Sequence, residues 1–245
     1  MNQNNIKASI ESIETFGLVD GPGIRVVVFF NGCKLRCKYC HNPEMWTNKE
    51  NNYTPQELVD KIKRYKSYFK NNGGVTFSGG EPLLHSKFII ETAKLLKQED
   101  IHIALDTAGV GLGDYEEVLK YIDLVIFDVK HTNPDEYKEL TNLEITESEE
   151  FIKVMNQLNK PVWIRQVIVP GIMDNYEYID NLIKYLSKIK NIERIDFLPF
   201  HRLGREKYIS LGLKYPYEEK DDMDKTKTNE LYQYFIEKYS NKKTS

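Results

Sequence analysis

The sequence predicts an α/β fold built on a parallel sheet, and three observations predict it. Six runs, at 24–30, 75–77, 102–105, 124–127, 162–169 and 195–200, are almost continuously apolar, as strands covered on both faces are. Amphipathic segments with readable helix starts separate them, which implies right-handed crossovers between parallel strands. Nearly every unusual polar group falls just after a run, at the carboxyl end where open sheets and barrels alike gather their chemistry. An open doubly wound sheet and a barrel both satisfy this pattern.

Taken in order, the turn Asp20-Gly21-Pro22-Gly23 leads into the first run, Ile24 to Phe30. No glycine-rich phosphate cradle follows it. Thr54-Pro55-Gln56-Glu57 is a capping box with proline at the first helical position, and Leu58, Val59, Ile62, Tyr65 and Phe69 line one face beyond it. The second run ends in Ser78-Gly79-Gly80-Glu81, where glycines let backbone approach a ligand. Ser86 or His85 opens a helix through Leu96. The third run ends in Asp106-Thr107-Ala108-Gly109 and the fourth in Asp128-Val129-Lys130-His131. Asp114 with Glu117, and Asp174 with Glu177, mark two further helix starts. Phe151, Ile152, Met155 and Leu158 mark another helix, and Leu231, Tyr234 and Phe235 the last. Arg165 sits inside the fifth run, where it requires a carboxylate partner or a ligand. The sixth run ends in His201-Arg202-Leu203-Gly204. The charged stretch 215–229 reads as a surface loop, and 241–245 as a frayed tail.

All three cysteines, Cys33, Cys37 and Cys40, lie within eight residues, just after the first run. Three is odd, and neighbours this close make poor disulfides. Zinc structural sites take four ligands and iron–sulfur clusters normally four thiolates, so three thiols point to an iron–sulfur cube with one iron open. A zinc knuckle completed by His41 is the alternative. Lys34, Arg36 and Lys38 interleave the thiols, which is expected to lower their pKa. His85, His102 and His131 lack any such motif and are expected to be structural.

The net charge of −3 gives no electrostatic case for nucleic acid or a membrane surface, and no stretch approaches the roughly 18 apolar residues of a span. The first five residues are polar and no apolar signal core follows, so a cytoplasmic protein is expected.

From Phe16-Gly17-Leu18-Val19-Asp20-Gly21-Pro22-Gly23-Ile24-Arg25 through Tyr39-Cys40-His41-Asn42, and in later motifs to about Gly204, the chain resembles the radical S-adenosylmethionine superfamily, and within it the enzymes that activate glycyl radical enzymes. The resemblance implies an incomplete (β/α)6 barrel in a single domain, 1–245, with an extension at 1–20 and a charged loop and helix at 215–245. It implies a [4Fe-4S] cluster on Cys33, Cys37 and Cys40, and S-adenosylmethionine held by Tyr39, Cys40, His41, Gly79, Gly80, Glu81, Asp106, Thr107, Asp128, Val129, Lys130 and His201. Of these, Lys130 and His201 are the candidate catalytic residues. Asp106, Thr107 and Asp128 are also candidates to bind a monovalent cation, and Asp20, His41 and Arg165 to meet a substrate peptide. The implied chemistry is reductive cleavage of adenosylmethionine to methionine and a 5′-deoxyadenosyl radical, which takes hydrogen from a partner's glycine under anaerobic conditions. The absence of cysteines after Cys40 favours pyruvate formate-lyase as that partner, with anaerobic ribonucleotide reductase the alternative. Flavodoxin or a similar low-potential electron donor, and a monomeric enzyme, complete the expectation. The superfamily often carries asparagine where this chain has Ala108.

Overall fold

The computed structural model describes residues 6–243. The polar residues 1–5, on which the reading against secretion partly rests, lie outside the described residues, as do 244 and 245. Seven strands form one sheet in chain order: β1 (Ile10–Gly17), β2 (Arg25–Phe30), β3 (Gly74–Gly79), β4 (His102–Thr107), β5 (Leu124–Val129), β6 (Val162–Ile168) and β7 (Ile192–Pro199). β1 is antiparallel to β2, and every later pair is parallel. β1 and β7 do not pair, so the sheet stays open. It is nonetheless curled: one cavity is walled by Phe29 of β2, Ser78 of β3, Asp106 of β4, Asp128 of β5, Arg165 of β6 and Leu198 of β7. Six parallel strands curled but unclosed are the incomplete (β/α)6 barrel that was expected. β1 was not foreseen. Its alternating burial marks an edge strand covered on one face, which a search for continuous apolar runs passes over.

The helices are α1 (Pro55–Lys63), α2 (Lys66–Phe69), α3 (Ser86–Gln98), α4 (Tyr115–Leu119), α5 (Pro134–Thr141), α6 (Thr146–Gln157), α7 (Tyr176–Leu186), α8 (Arg205–Ser210) and α9 (Lys225–Lys243). The capping box at α1 is complete, with Thr54 Oγ1 accepting from Glu57 N and the Glu57 carboxylate accepting from Thr54 N. Four expectations need correction. The first helix stops at Lys63, and Phe69 belongs to the separate turn α2. Asn175 caps α7 by accepting from Tyr178 N at 2.9 Å, while Asp174 instead accepts from Gly171 N at 2.7 Å. The stretch 215–229 is not a loose loop: Tyr215, Tyr217 and Met223 are buried, Met223 N donates to Phe200 O at 2.8 Å, and α9 begins at Lys225. Its aromatic residues anchor it beneath the charge. The tail expected to fray is helical through Lys243.

The main core lies between strands and helices, where Phe30, Phe77 and Phe88 meet edge to face and Phe127 stacks on Phe151. Each fully buried ring contributes about 1.5–3 kcal/mol. Arg25, at the start of β2, is fully buried. Its guanidinium donates to Thr76 Oγ1 at 2.6 Å and to Pro22 O at 3.0 Å, and Thr76 Oγ1 in turn donates to Asp20 O at 2.6 Å. Burial lowers its pKa to about 10, which leaves it charged at neutral pH. The network fastens the 20–23 turn against the sheet.

Candidate active site

The 33–40 loop leaves β2 and is clamped from several sides. Gly32 N donates to Met45 O at 2.7 Å and Cys33 N to Trp46 O at 3.2 Å. The C-terminal carbonyls of α5, which no helical N–H can satisfy, accept from the loop: Thr141 O from Arg36 N at 2.7 Å and Leu140 O from Lys38 N at 2.9 Å. The interleaved bases turn out to be fasteners. Lys34 donates to Gly111 O and pairs with Glu147 at 2.8 Å, Lys38 pairs with Glu139 at 2.8 Å, and Arg36 donates to the carbonyls of Cys33 and Leu35. The expected lowering of the thiol pKa values therefore does not occur. Burial pushes the Cys37 thiol up to about 12, against the pull of Lys130, and raises those of Cys33 and Cys40 as well.

All three free thiols line one cavity of about 680 Å³. The same cavity is lined by Asp20, Tyr39, His41, Gly79, Gly80, Asp106, Thr107, Asp128, Lys130, Arg165 and His201. At the end of β3, a Cβ on Gly79, whose φ is +112°, would stand 2.3 Å from Phe30 N, and one on Gly80 would stand 2.3 Å from Gly32 O. Only glycine lets β3 pass this close to the root of the cysteine loop.

Charges on the wall are paired. Asp106 Oδ2 accepts from Ser78 Oγ at 2.9 Å and from Arg165 Nη1 at 3.1 Å, and Arg165 reaches on to Val19 O and to Asp20 at 3.5 Å. Burial raises the Asp106 pKa although Arg165 opposes it. Asp128 Oδ2 pairs with Lys130 Nζ at 2.5 Å, and that ammonium lies 5.5 Å from the centre of the Tyr39 ring. Burial works against the Lys130 charge, but Asp128, Tyr39 and Cys37 together outweigh it and hold the pKa well above the ordinary value. Asp106 and Asp128, two of the three candidate cation ligands, are thus both paired to basic side chains. The His41 and His201 rings stack at 4.2 Å, with His41 Nε2 3.1 Å from His201 O.

Two of the expected ligand contacts lie behind this wall. Val129 is buried in the core. Glu81 is 1% exposed, and its carboxylate accepts from Thr107 Oγ1 at 2.6 Å, Leu83 N at 3.1 Å and Ala108 N at 3.0 Å. Of the three histidines expected to be structural, His85 stacks on Phe30 with Nε2 2.6 Å from Asn31 O, His102 lies beside Arg25, and His131 is buried beside Glu136.

The wall fits a three-cornered cluster with a polar ligand beside it. Buried neutral thiols release their protons when a metal arrives, which couples binding to deprotonation. His41 is already engaged with His201, and among the described residues no three His, Cys, Asp or Glu are gathered closely enough for a single ion, as a zinc knuckle requires. Asp128 Oδ1, the Tyr39 hydroxyl and His201 Nδ1 are buried without a hydrogen-bond partner, and all three residues line the cavity. Buried polar atoms of this kind call for a ligand's polar groups. The model of the Radical SAM superfamily matches residues 27–186. The chain belongs to that superfamily. It is 48% identical over 236 residues to the pyruvate formate-lyase-activating enzyme of Clostridium pasteurianum, covering 95% of this chain and 98% of that one. It is 38% identical over 239 residues to the enzyme of the same name from Staphylococcus epidermidis, covering 94% and 95%. Solved structures share the fold. Streptococcus suis SuiB bound to precursor peptide SuiA superposes with a TM-score of 0.69 at 15% identity, over 94% of this chain and 48% of that one. A domain of a pyruvate-formate lyase-activating enzyme from Bacteroides vulgatus gives 0.55 at 23% identity, over 69% and 95%. The chain is thus a radical SAM enzyme whose cofactors are a [4Fe-4S] cluster and S-adenosylmethionine.

Sequence reasoning missed several residues that wall the cavity of this radical SAM enzyme. Phe29, Val167 and Leu198 alternate inward along their strands, a position no motif signals. Trp46 lies six residues beyond Cys40, outside the motif, and Lys225 comes from a segment distant in sequence. Lys225 opens α9, and it reaches the cavity because the 215–224 strap packs against the end of β7.

Proposed function

We propose that this enzyme activates pyruvate formate-lyase, in the cytoplasm, by abstracting hydrogen from one glycine Cα of that partner. The observation that carries the reading is the shared wall: the three free cysteines and Tyr39, Asp128, Lys130, Arg165 and His201 all line one cavity. The near-full-length relatives named for this activity support the choice of partner. When bound, the cluster and adenosylmethionine supply a one-electron cleavage that yields a hydrogen-abstracting carbon radical.

The protein's own groups bind, orient and exclude water. Cys33, Cys37 and Cys40 hold the cluster. Gly79 and Gly80 keep the wall bare beside it, with Val129 behind. Tyr39, Asp128, Lys130 and His201 meet the polar groups of adenosylmethionine. Glu81 and Thr107 hold the ends of β3 and β4 together from behind. Asp20, His41 and Arg165 face the incoming peptide. A glycine has no side chain, so its Cα can come close to the reacting carbon. The glycine-bearing segment must leave its own fold to enter the cavity, so the complex is transient and involves loop motion. Flavodoxin, or a donor of similarly low potential, delivers the electron to a monomeric enzyme acting as a single domain.

The test is anaerobic mixing of the reconstituted protein, adenosylmethionine, reduced flavodoxin and inactive pyruvate formate-lyase. A glycine-centred doublet in electron paramagnetic resonance is expected on the partner. Its absence there, with a doublet on another glycyl radical enzyme under the same conditions, would overturn the assignment of partner.

A further inference from the structure

The three most exposed large apolar side chains among the described residues are Leu203, Val19 and Leu18, at 79%, 77% and 70%. All three adjoin residues that line the active-site cavity. Leu18 and Val19 precede Asp20, and Leu203 follows His201 by two positions. Both segments are fastened where they stand. Val19 O accepts from Arg165 Nη2 at 2.5 Å, and Arg165 is itself part of the cavity wall. The turn at Leu203 lies against the end of the cysteine loop: a Cβ on Gly204 would stand 2.9 Å from both Cys40 O and His41 Cα. Leu198 and Val167 add apolar surface to the cavity wall itself.

A leucine exposed by itself is ordinary on a folded protein, and scattered ones need no explanation. These three are not scattered. One segment follows β1 and the other follows β7, the two edge strands of the sheet, yet both adjoin one cavity. Apolar side chains held in water at an entrance gain free energy when something covers them. The reaction proposed above requires a stretch of another protein to enter this cavity, so that stretch is the surface they meet. A net charge of −3 gives no attraction to an anionic membrane instead.

We propose that Val19 and Leu203, with Leu18 beside them, are specificity-determining residues: they receive apolar side chains that flank the glycine on the partner's entering segment. The inference rests on the function proposed above and adds the chemistry of that segment, a glycine with apolar neighbours.

Val19→Ser and Leu203→Ser change side chains that stand in solvent. Iron content, adenosylmethionine affinity and the melting midpoint should therefore match the parent. In anaerobic activation of pyruvate formate-lyase, each variant should raise KM for the partner about tenfold with kcat unchanged, the scale of one apolar side chain taken out of water. Unchanged KM in both single variants and in the double variant overturns the proposal. So does a parent dimer in sedimentation that the double variant abolishes while KM stays the same, which would assign the rim to a second copy of the chain. A second measurement does not depend on the partner's identity. Titration calorimetry of the holoprotein with adenosylmethionine uses two heptapeptides with a central glycine, one with leucine on either side of it and one with serine. The parent should bind the leucine peptide about tenfold tighter, and the double variant should bind the two alike. Equal binding by the parent overturns the proposal, and this arm decides alone should a variant fail to fold. A parent that prefers the leucine peptide yet raises no radical on pyruvate formate-lyase would defeat the assignment of partner and leave the rim standing.

Discussion

Replacing Glu81 by Gln separates two roles that sequence alone merges. By resemblance this carboxylate meets the amino group of the ligand, but in the fold it is spent on Leu83 N, Ala108 N and the Thr107 hydroxyl. Glutamine offers one oxygen where glutamate offers two. Whichever way the amide is turned, Leu83 N or Ala108 N faces an NH₂ group and loses its acceptor. A buried N–H without a partner costs about 1–3 kcal/mol. At roughly 2–4 °C per kcal/mol for a chain of this size, the melting midpoint should fall by about 5 °C. The pH dependence gives an independent check. Burial raises the Glu81 pKa from 4.5 to about 7, with Thr107 and the two amides opposing it. A raised carboxyl pKa means the folded state binds the extra proton, so its contribution is full below 4.5 and is lost as pH rises towards 7. At 1.36 kcal/mol per unit the span is of order 3 kcal/mol. The Gln variant lacks that slope, so the parent's advantage over it should shrink between pH 4.5 and 7. Differential scanning calorimetry across that range, beside titration calorimetry with adenosylmethionine, reads both. A variant that keeps its midpoint at every pH but loses ligand affinity would refute the structural role and restore direct contact with the ligand.

Arg165→Met leaves the Asp106 and Asp20 carboxylates unpaired, with Asp106 only 16% exposed. Breaking a buried pair from one side costs about 3–5 kcal/mol. The melting midpoint should fall by about 10 °C and partly recover when Asp106→Asn is added; no recovery would mean the two side chains are not coupled. His201→Phe preserves a ring against His41 but removes the unpartnered Nδ1. Adenosylmethionine affinity should weaken about tenfold with iron content unchanged, and equal affinity by calorimetry would take His201 out of the ligand site. Cys37→Ala should reduce iron and sulfide on reconstitution to background, and normal iron would count against the three-thiol site.

The fold was legible where burial on both faces made a strand uniformly apolar. It was illegible where burial was one-sided or borrowed. β1 alternates because one face is half exposed. α5 buries only Tyr137, Leu140 and Thr141 in eight residues, too short a stripe for periodicity, although Asn133 and Pro134 at its start are a readable cap. The strap at 215–224 looks solvated because its charges outnumber the three side chains that hold it down, Tyr215, Tyr217 and Met223.

The site was legible as residue types and much less so as partnerships. Motifs placed acids and bases at strand ends, and the register brings them together: Asp128 lies beside Arg165, and Arg165 beside Asp196. Sequence could not say which acid each base would take. Arg165 takes Asp106, from the strand two positions away across the curl, because an inward side chain meets its neighbours across the lumen as well as along the ladder. Lys130 takes Asp128 two residues earlier in its own chain. The same logic explains why the bases between the cysteines do not activate the thiols. Lys34 and Lys38 find Glu147 and Glu139 on the outer helices, and the charge that does act on Cys37 is Lys130, ninety-three positions away in sequence. In a curled sheet the electrostatics of a loop are therefore set by what the opposite strand ends present to it. A substitution at Lys130 should disturb Cys37 more than one at the adjacent Lys38.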